Sequence, residues 1–142
     1  MDSRKKLQIA TAILAAVPIL TGAFAMMGVD DPLFSSLGLP KDATLDSQLR
    51  FLGGVWLGLG LAAAALIPRI EKHTDLFRAL WGMIFLGGVG RLLSLVMVGL
   101  PWPPFIGFTV LEIVGAPLFV WWQSRVAQAG VQRVTNARWS SK

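Results

Sequence analysis

The sequence contains no cysteine, which excludes disulfides, thiolate metal sites, thiol redox chemistry and a cysteine nucleophile. It contains one histidine, so neither a histidine-cluster metal site nor a bis-histidine haem can form. Charge is scarce: 15% of the 142 residues are Asp, Glu, Lys or Arg, against about 25% in a typical soluble domain. No P-loop, dinucleotide fingerprint, hydrolase elbow or metal-ligand spacing occurs. Apolar surface is what the chain has in excess. Hydrophobic residues make up 54% of it and the mean hydropathy is +0.62. A soluble domain of this composition would leave much apolar area in water, and a disordered chain is excluded outright. The composition indicates a membrane protein.

Four apolar stretches set the architecture. Leu7 to Met27 holds no charge, and Phe51 to Ile67 holds none but extends back through Arg50. Leu76 to Leu100 contains Arg78 and Arg91, and Pro104 to Trp122 contains only Glu112. A spanning helix needs about 20 largely apolar residues, and the alternation of a β-barrel strand is missing. The expected fold is an all-α integral membrane four-helix bundle in a single domain. Its spans are 7–27, 47–67, 76–100 and 104–123, with an outer loop at 28–46 and a basic tail at 124–142. Arg4-Lys5-Lys6, the apolar run and Ala23-Phe24-Ala25 also fit a cleaved secretory signal; the expectation is a retained first span.

The distribution of Lys and Arg sets the expected orientation. Arg4, Lys5 and Lys6 precede the first span, and Arg69, Lys72 and Arg78 lie between the second and third. Arg125, Arg133, Arg138 and Lys142 follow the fourth. The opposite side has only Lys41 and Arg50, beside Asp30, Asp31, Asp42 and Asp46. The positive-inside rule therefore puts both termini in the cytoplasm, and a multi-pass protein of the bacterial inner membrane is expected. The excess of basic residues suits anionic lipid rather than nucleic acid.

Ordinary end signals mark the spans. Thr44 or Asp46 can cap the second, Thr74 the third with Asp75 in its first turn, and Pro104 suits the start of the fourth. Pro68 ends the second span, and Pro18 and Pro117 should kink the first and fourth. Trp81, Trp102, Trp121, Trp122 and Trp139 fall near expected interfaces and read as anchors of the aromatic belt. Leu33, Phe34, Leu37 and Leu39 should lay the outer loop on the membrane surface. His73 is expected to be solvated in the charged inner loop.

The charges inside the spans are the candidate site. Arg91 and Glu112 fall at matching depth on adjacent antiparallel spans, roughly 12–14 Å below the outer end, which is what an intramembrane charge pair requires. Its simplest role is structural; its functional reading is the polar floor of a site for a headgroup, quinone or proton. Asp46 and Arg50, one turn apart, form a candidate outer-rim pair. Gly53, Gly54 and Gly58 on the second span, and Gly87 and Gly88 on the third, are candidate packing or docking glycines. Phe-Leu-Gly-Gly-Val occurs at 51–55 and again at 85–89; with dissimilar flanks it reads as convergent packing rather than duplication.

The run Leu45-Asp46-Ser47-Gln48-Leu49-Arg50-Phe51-Leu52-Gly53-Gly54 is followed by Gly90-Arg91-Leu92-Leu93-Ser94, Gly99-Leu100-Pro101 and Leu111-Glu112. Together these resemble a family of small bacterial four-helix membrane proteins known only as a domain of unknown function, similar in plan to DoxX-like proteins. The resemblance implies a four-helix bundle and little chemistry. By analogy of fold, the DoxX-like relatives suggest quinone-linked or respiratory settings.

With no catalytic set and no cofactor expected, the leading functional expectation is a non-enzymatic accessory or structural subunit. It would pack against a larger inner-membrane respiratory or photosynthetic complex through its helix faces. The alternative is a bundle that binds a lipophilic small molecule, a quinone or a lipid, with Arg91 and Glu112 at the polar end. A small transporter is the third possibility, disfavoured by the single deep charge pair. Expected partners are therefore the lipid bilayer and a membrane-protein complex, with a bound lipid or quinone in the alternative.

Overall fold

The computed structural model describes residues 2–140, except for the side chains at 133–138 and 140. The side chains of Arg133 and Arg138, and the whole of Lys142, three basic residues of the tail, lie outside what it describes. The described chain is helical, with four helices long and apolar enough to cross a membrane. These are α1 (Ser3–Ala25), α2 (Ala43–Leu66, continued by a 3-10 turn to Arg69), α3 (Thr74–Met97) and the run Pro103–Gln132. That last run joins α4 (Pro103–Val110), a π-helical turn (Leu111–Gly115) and α5 (Ala116–Ser140). The chain divides into two compact units, one of Gln8–Pro68 and one of Met1–Leu7 with Arg69–Lys142.

In the unit Gln8–Pro68, α1 and α2 pack through bare backbone. A Cβ on Gly22 would stand 2.5 Å from the Leu57 nitrogen, and one on Gly53 would stand 2.6 Å from the Ala25 carbonyl carbon. Gly60 lies against Ile19 and the ring of Pro18 in the same way. Small residues at these three levels let two membrane helices approach until their backbones touch, and dispersion between them is the main packing energy available in lipid. α1 continues as helix through Pro18. Trp56 Nε1 donates to Thr21 Oγ1 at 2.8 Å, and Thr21 in turn donates to the Val17 carbonyl.

Polar side chains are spent on the helix ends. The last carbonyls of a helix have no partner within it, and near a membrane water does not reliably replace one. Gln8 Nε2 donates to the Ile67 carbonyl at 2.7 Å, at the close of α2. Arg50 Nη1 donates to the Met26 carbonyl at 2.7 Å, just past α1. In the other unit Gln123, fully buried, donates to the Ile70 carbonyl at 2.9 Å and to Thr74 Oγ1 at 3.0 Å. Each of these side chains closes a helix end or the turn just past it.

Several boundary expectations are corrected. The cap of α2 is Asp42, whose carboxylate accepts from the Thr44 and Leu45 amides at 3.0 and 2.9 Å, so neither Thr44 nor Asp46 has that role. The helix therefore starts at Ala43, and the connection before it is shorter than 28–46. Asp42→Ala should lower stability by about 0.5–2 kcal/mol, read as an earlier thermal transition of the purified protein. An unchanged transition would mean the cap is idle. α3 has no side-chain cap, because Thr74 is its first residue and turns its hydroxyl to Gln123. The segment after Ser124 is not a separate piece: α5 runs on through it to Ser140.

Trp81 is corrected as well. It is 5% exposed, stacked on Phe119 of α5 with ring centroids 4.6 Å apart and tilted against Phe77 at 5.7 Å. It is a core residue of the unit formed by residues 1–7 and 69–142, where α3 packs on α5. Trp102, Trp121 and Trp139, by contrast, are exposed at 65%, 59% and 73%.

Candidate functional site

The site grows from an irregularity in the fourth membrane-length helix. Pro117 has no N–H for the carbonyl four residues back, and its ring would crowd that carbonyl. The chain widens into the π turn Leu111–Gly115 immediately before it, which shifts the hydrogen-bond register where an α-helical ladder would clash. Glu112 sits in this turn and is buried, with its side chain 9% exposed.

Gly88 of α3 gives Glu112 its place. A Cβ at Gly88 would stand 2.7 Å from Glu112 Cβ and 3.2 Å from the Ile113 side chain, so only glycine leaves room. One turn further along α3, Arg91 Nε donates to both carboxylate oxygens of Glu112, at 2.9 and 3.2 Å. Arg91 lies six residues before the end of α3 at Met97, and Glu112 nine after the start of α4 at Pro103. At about 1.5 Å per residue these are depths of about 9 and 13–14 Å. Helical side chains lean toward their own N-terminus, so on these antiparallel segments Arg91 reaches away from the α3–α4 connection and Glu112 toward it. The two meet between the levels of their backbones.

The remaining geometry makes the pair asymmetric. The guanidinium carbon of Arg91 lies 5.3 Å from the centre of the Phe105 ring, a cation–π distance. Thr109, buried on α4, uses its hydroxyl on the Phe105 carbonyl at 2.8 Å. Within the described residues Nη1 and Nη2 of Arg91 donate to nothing, and its side chain is 34% exposed. A carboxylate is thus enclosed while the far edge of its arginine stays open.

The other candidate residues lie elsewhere. Asp46 and Arg50 are joined at 2.6 Å (Arg50 Nε to Asp46 Oδ2), and Asp46 Oδ1 also accepts from the Val29 amide at 3.1 Å. With the Arg50 bond to Met26, they clasp the end of α1 to the start of α2. Gly28 makes room for this clasp: its φ is +68°, and an added Cβ would collide with the Asp46 carboxylate. Gly54, Gly58 and Gly87 have no atom within 4 Å of an added Cβ, unlike Gly53 and Gly88. In one Phe-Leu-Gly-Gly-Val copy the first glycine is packed, in the other the second. His73 is exposed, and among the described residues no three His, Asp or Glu side chains converge as metal ligands.

Phe105 and the π turn could not be singled out from the sequence. Phe105 is one of eight phenylalanines, and only the fold shows which of them meets an arginine. The turn had one signal, Pro117 five residues after Glu112.

A family model described as a domain of unknown function (DUF4345) matches residues 6–123. No curated protein and no solved structure matches the chain.

Proposed function

The chain belongs to the DUF4345 family of unknown function, and for it we propose a binding role without covalent chemistry. It holds a lipophilic molecule of the bilayer, a quinone or a lipid, by a hydrogen-bond acceptor placed against Arg91. The observation that carries this reading is the open edge of the guanidinium. Nε is committed to Glu112, which ties the side chain below the membrane surface and prevents it from snorkelling. Unmet N–H donors in hydrocarbon are costly. A carbonyl or ester oxygen would satisfy them, and charge already balanced by Glu112 favours a neutral acceptor. The aromatic rings of Trp102, Phe105 and Phe108 near Arg91 make apolar surroundings that suit a lipophile. We place this protein in the bacterial inner membrane with its basic ends at the cytoplasmic side, on the strength of the Lys and Arg bias.

The test is to purify the full chain in mild detergent, extract it with organic solvent and quantify quinones and lipids by mass spectrometry. The wild type should carry a near-stoichiometric lipophile. The double variant Arg91→Met with Glu112→Leu, which removes both charges, should carry at least about tenfold less. A wild type without such a molecule, or a double variant that retains it in full, counts against the site.

A second reading has its own observation. The open faces of Gly54 and Gly58, beside the exposed Phe51, Leu52, Val55 and Leu61, leave a strip of α2 that another helix could approach closely. It supports an accessory subunit of a larger respiratory or photosynthetic complex. The same mild extraction distinguishes the two, since an accessory subunit would come out with its partner proteins.

A further inference from the structure

A separate cleft lies at the basic end of the unit formed by residues 1–7 and 69–142. It encloses about 260 Å³ between the first residues of α1, Glu71 and α5, with Arg125 in its wall and Ala129 and Gly130 among its lining residues. We propose that this cleft is a headgroup site for an anionic phospholipid, with the lipid phosphate held by Arg125.

Four observations carry the assignment. The first is the state of the two arginines. Two carboxylates, Asp2 and Glu71, line the cleft; Arg4 Nε is paired with Glu71 at 2.8 Å, and the two arginines balance the two acids. Arg125 makes no hydrogen bond or ion pair among the described residues; its guanidinium lies over the Trp121 ring, 5.3 Å from the centroid. Contact with a ring face orients a guanidinium but uses none of its five in-plane donors, and a planar fork is well matched to phosphate oxygens.

The second observation is level. Arg125 is 22 residues along the helical run that starts at Pro103, about 33 Å from its beginning. The hydrocarbon core is about 30 Å thick, so Arg125 emerges at the far headgroup layer. Trp121 and Trp122 stand at the rim, where tryptophan is enriched, and Trp122 Nε1 donates to Ser3 Oγ at 3.0 Å, which fixes the first residues of α1 beside the cleft.

The third is the track below it. Leu118 and Trp121 of α5 are exposed at 57% and 59%, and with Arg125 they follow one another at steps of three and four. That spacing is one face of a helix. An acyl chain laid on this stripe brings its phosphate to Arg125. The fourth is the surrounding charge. Lys5, Lys6, Arg69 and Lys72 are exposed in the same sequence segments, and such a cluster favours anionic over zwitterionic headgroups. A cleft of this size admits a phosphoglycerol group and leaves the tails outside.

The test uses the full chain in mild detergent, titrated with phosphatidylglycerol, phosphatidylcholine or inorganic phosphate, with adducts counted by native mass spectrometry. Phosphatidylglycerol should bind one to one and at least about tenfold more tightly than either other probe. Arg125→Gln should weaken it about tenfold, the effect of losing a charged hydrogen-bond donor. Ala129→Leu, which fills the cleft and leaves every charge in place, should weaken it comparably, and it decides the matter if Arg125→Gln does not fold. Equal binding of the two lipids, or phosphatidylglycerol binding unchanged in the folded variants, would overturn the site. Inorganic phosphate binding as tightly as the lipid would show a free-phosphate site and overturn the lipid as occupant.

Discussion

Glu112→Leu is expected to destabilise the protein by about 3 kcal/mol, and adding Arg91→Met should restore most of the loss. The reason is the asymmetry of a paired charge in a medium of low dielectric. Removing one partner strands the other, and the stranded ion keeps its desolvation cost without the attraction that offset it. Removing both also removes the cost. The usual range for breaking a buried pair is about 3–5 kcal/mol, and the lower end applies because the Arg91 side chain is 34% exposed and can recover some solvation. A thermal unfolding series in detergent, closed as a double-mutant cycle, measures it. Losses that simply add would mean the two charges act independently and the contact is incidental. Gly88→Ala offers a charge-free check, since its Cβ would have to displace Glu112 Cβ from 2.7 Å.

The site was only partly legible in the sequence, and the boundary follows from physics. Hydropathy delimits spans because lipid imposes one rule on every residue of a segment. Arg91 and Glu112 stand out because a charge among apolar residues is costly wherever it faces, and residue counting compares their depths. Counting does not give direction, so it could not show that Arg91 keeps one edge open or that Glu112 sits on a π turn. The caps show the same divide. Asp42, Thr44 and Asp46 all have capping side chains, and which one caps depends on where the preceding turn releases the chain. Trp81 read as an anchor because its position near a span end resembles that of Trp121; only α5 packing over it separates the two. Gln8 and Gln123 did carry a signal, each being a polar residue at one end of an apolar run. Its meaning becomes clear only when the fold brings Gln8 to the Ile67 carbonyl and Gln123 to that of Ile70.

The neighbouring glycines of α2 should respond to alanine with opposite signs. In an unobstructed helix interior, glycine to alanine is favourable by about 1 kcal/mol or less, because alanine loses less backbone freedom. Gly54 and Gly58 have nothing within 4 Å of an added Cβ, so Gly54→Ala and Gly58→Ala should leave stability unchanged or slightly raised. Gly53 is one residue away and turned by a hundred degrees or so around the helix, onto α1. Its Cβ would lie 2.6 Å from the Ala25 carbonyl carbon and 2.7 Å from the Met26 nitrogen. Both obstacles are backbone, which no rotamer change relieves, so α1 and α2 must separate locally. Overpacking of this kind costs about 1–3 kcal/mol, more than the propensity gain. Separation at Gly53 also stretches the Arg50 bond to Met26, which places the cost toward the upper end. Gly22→Ala, blocked by the Leu57 nitrogen on the facing helix, should behave like Gly53→Ala. Thermal transitions of the four single variants, measured in one detergent, test the pattern. If Gly54→Ala proves as damaging as Gly53→Ala, then its open face is occupied in the folded protein, and the strip of α2 is already an interface rather than one awaiting a partner.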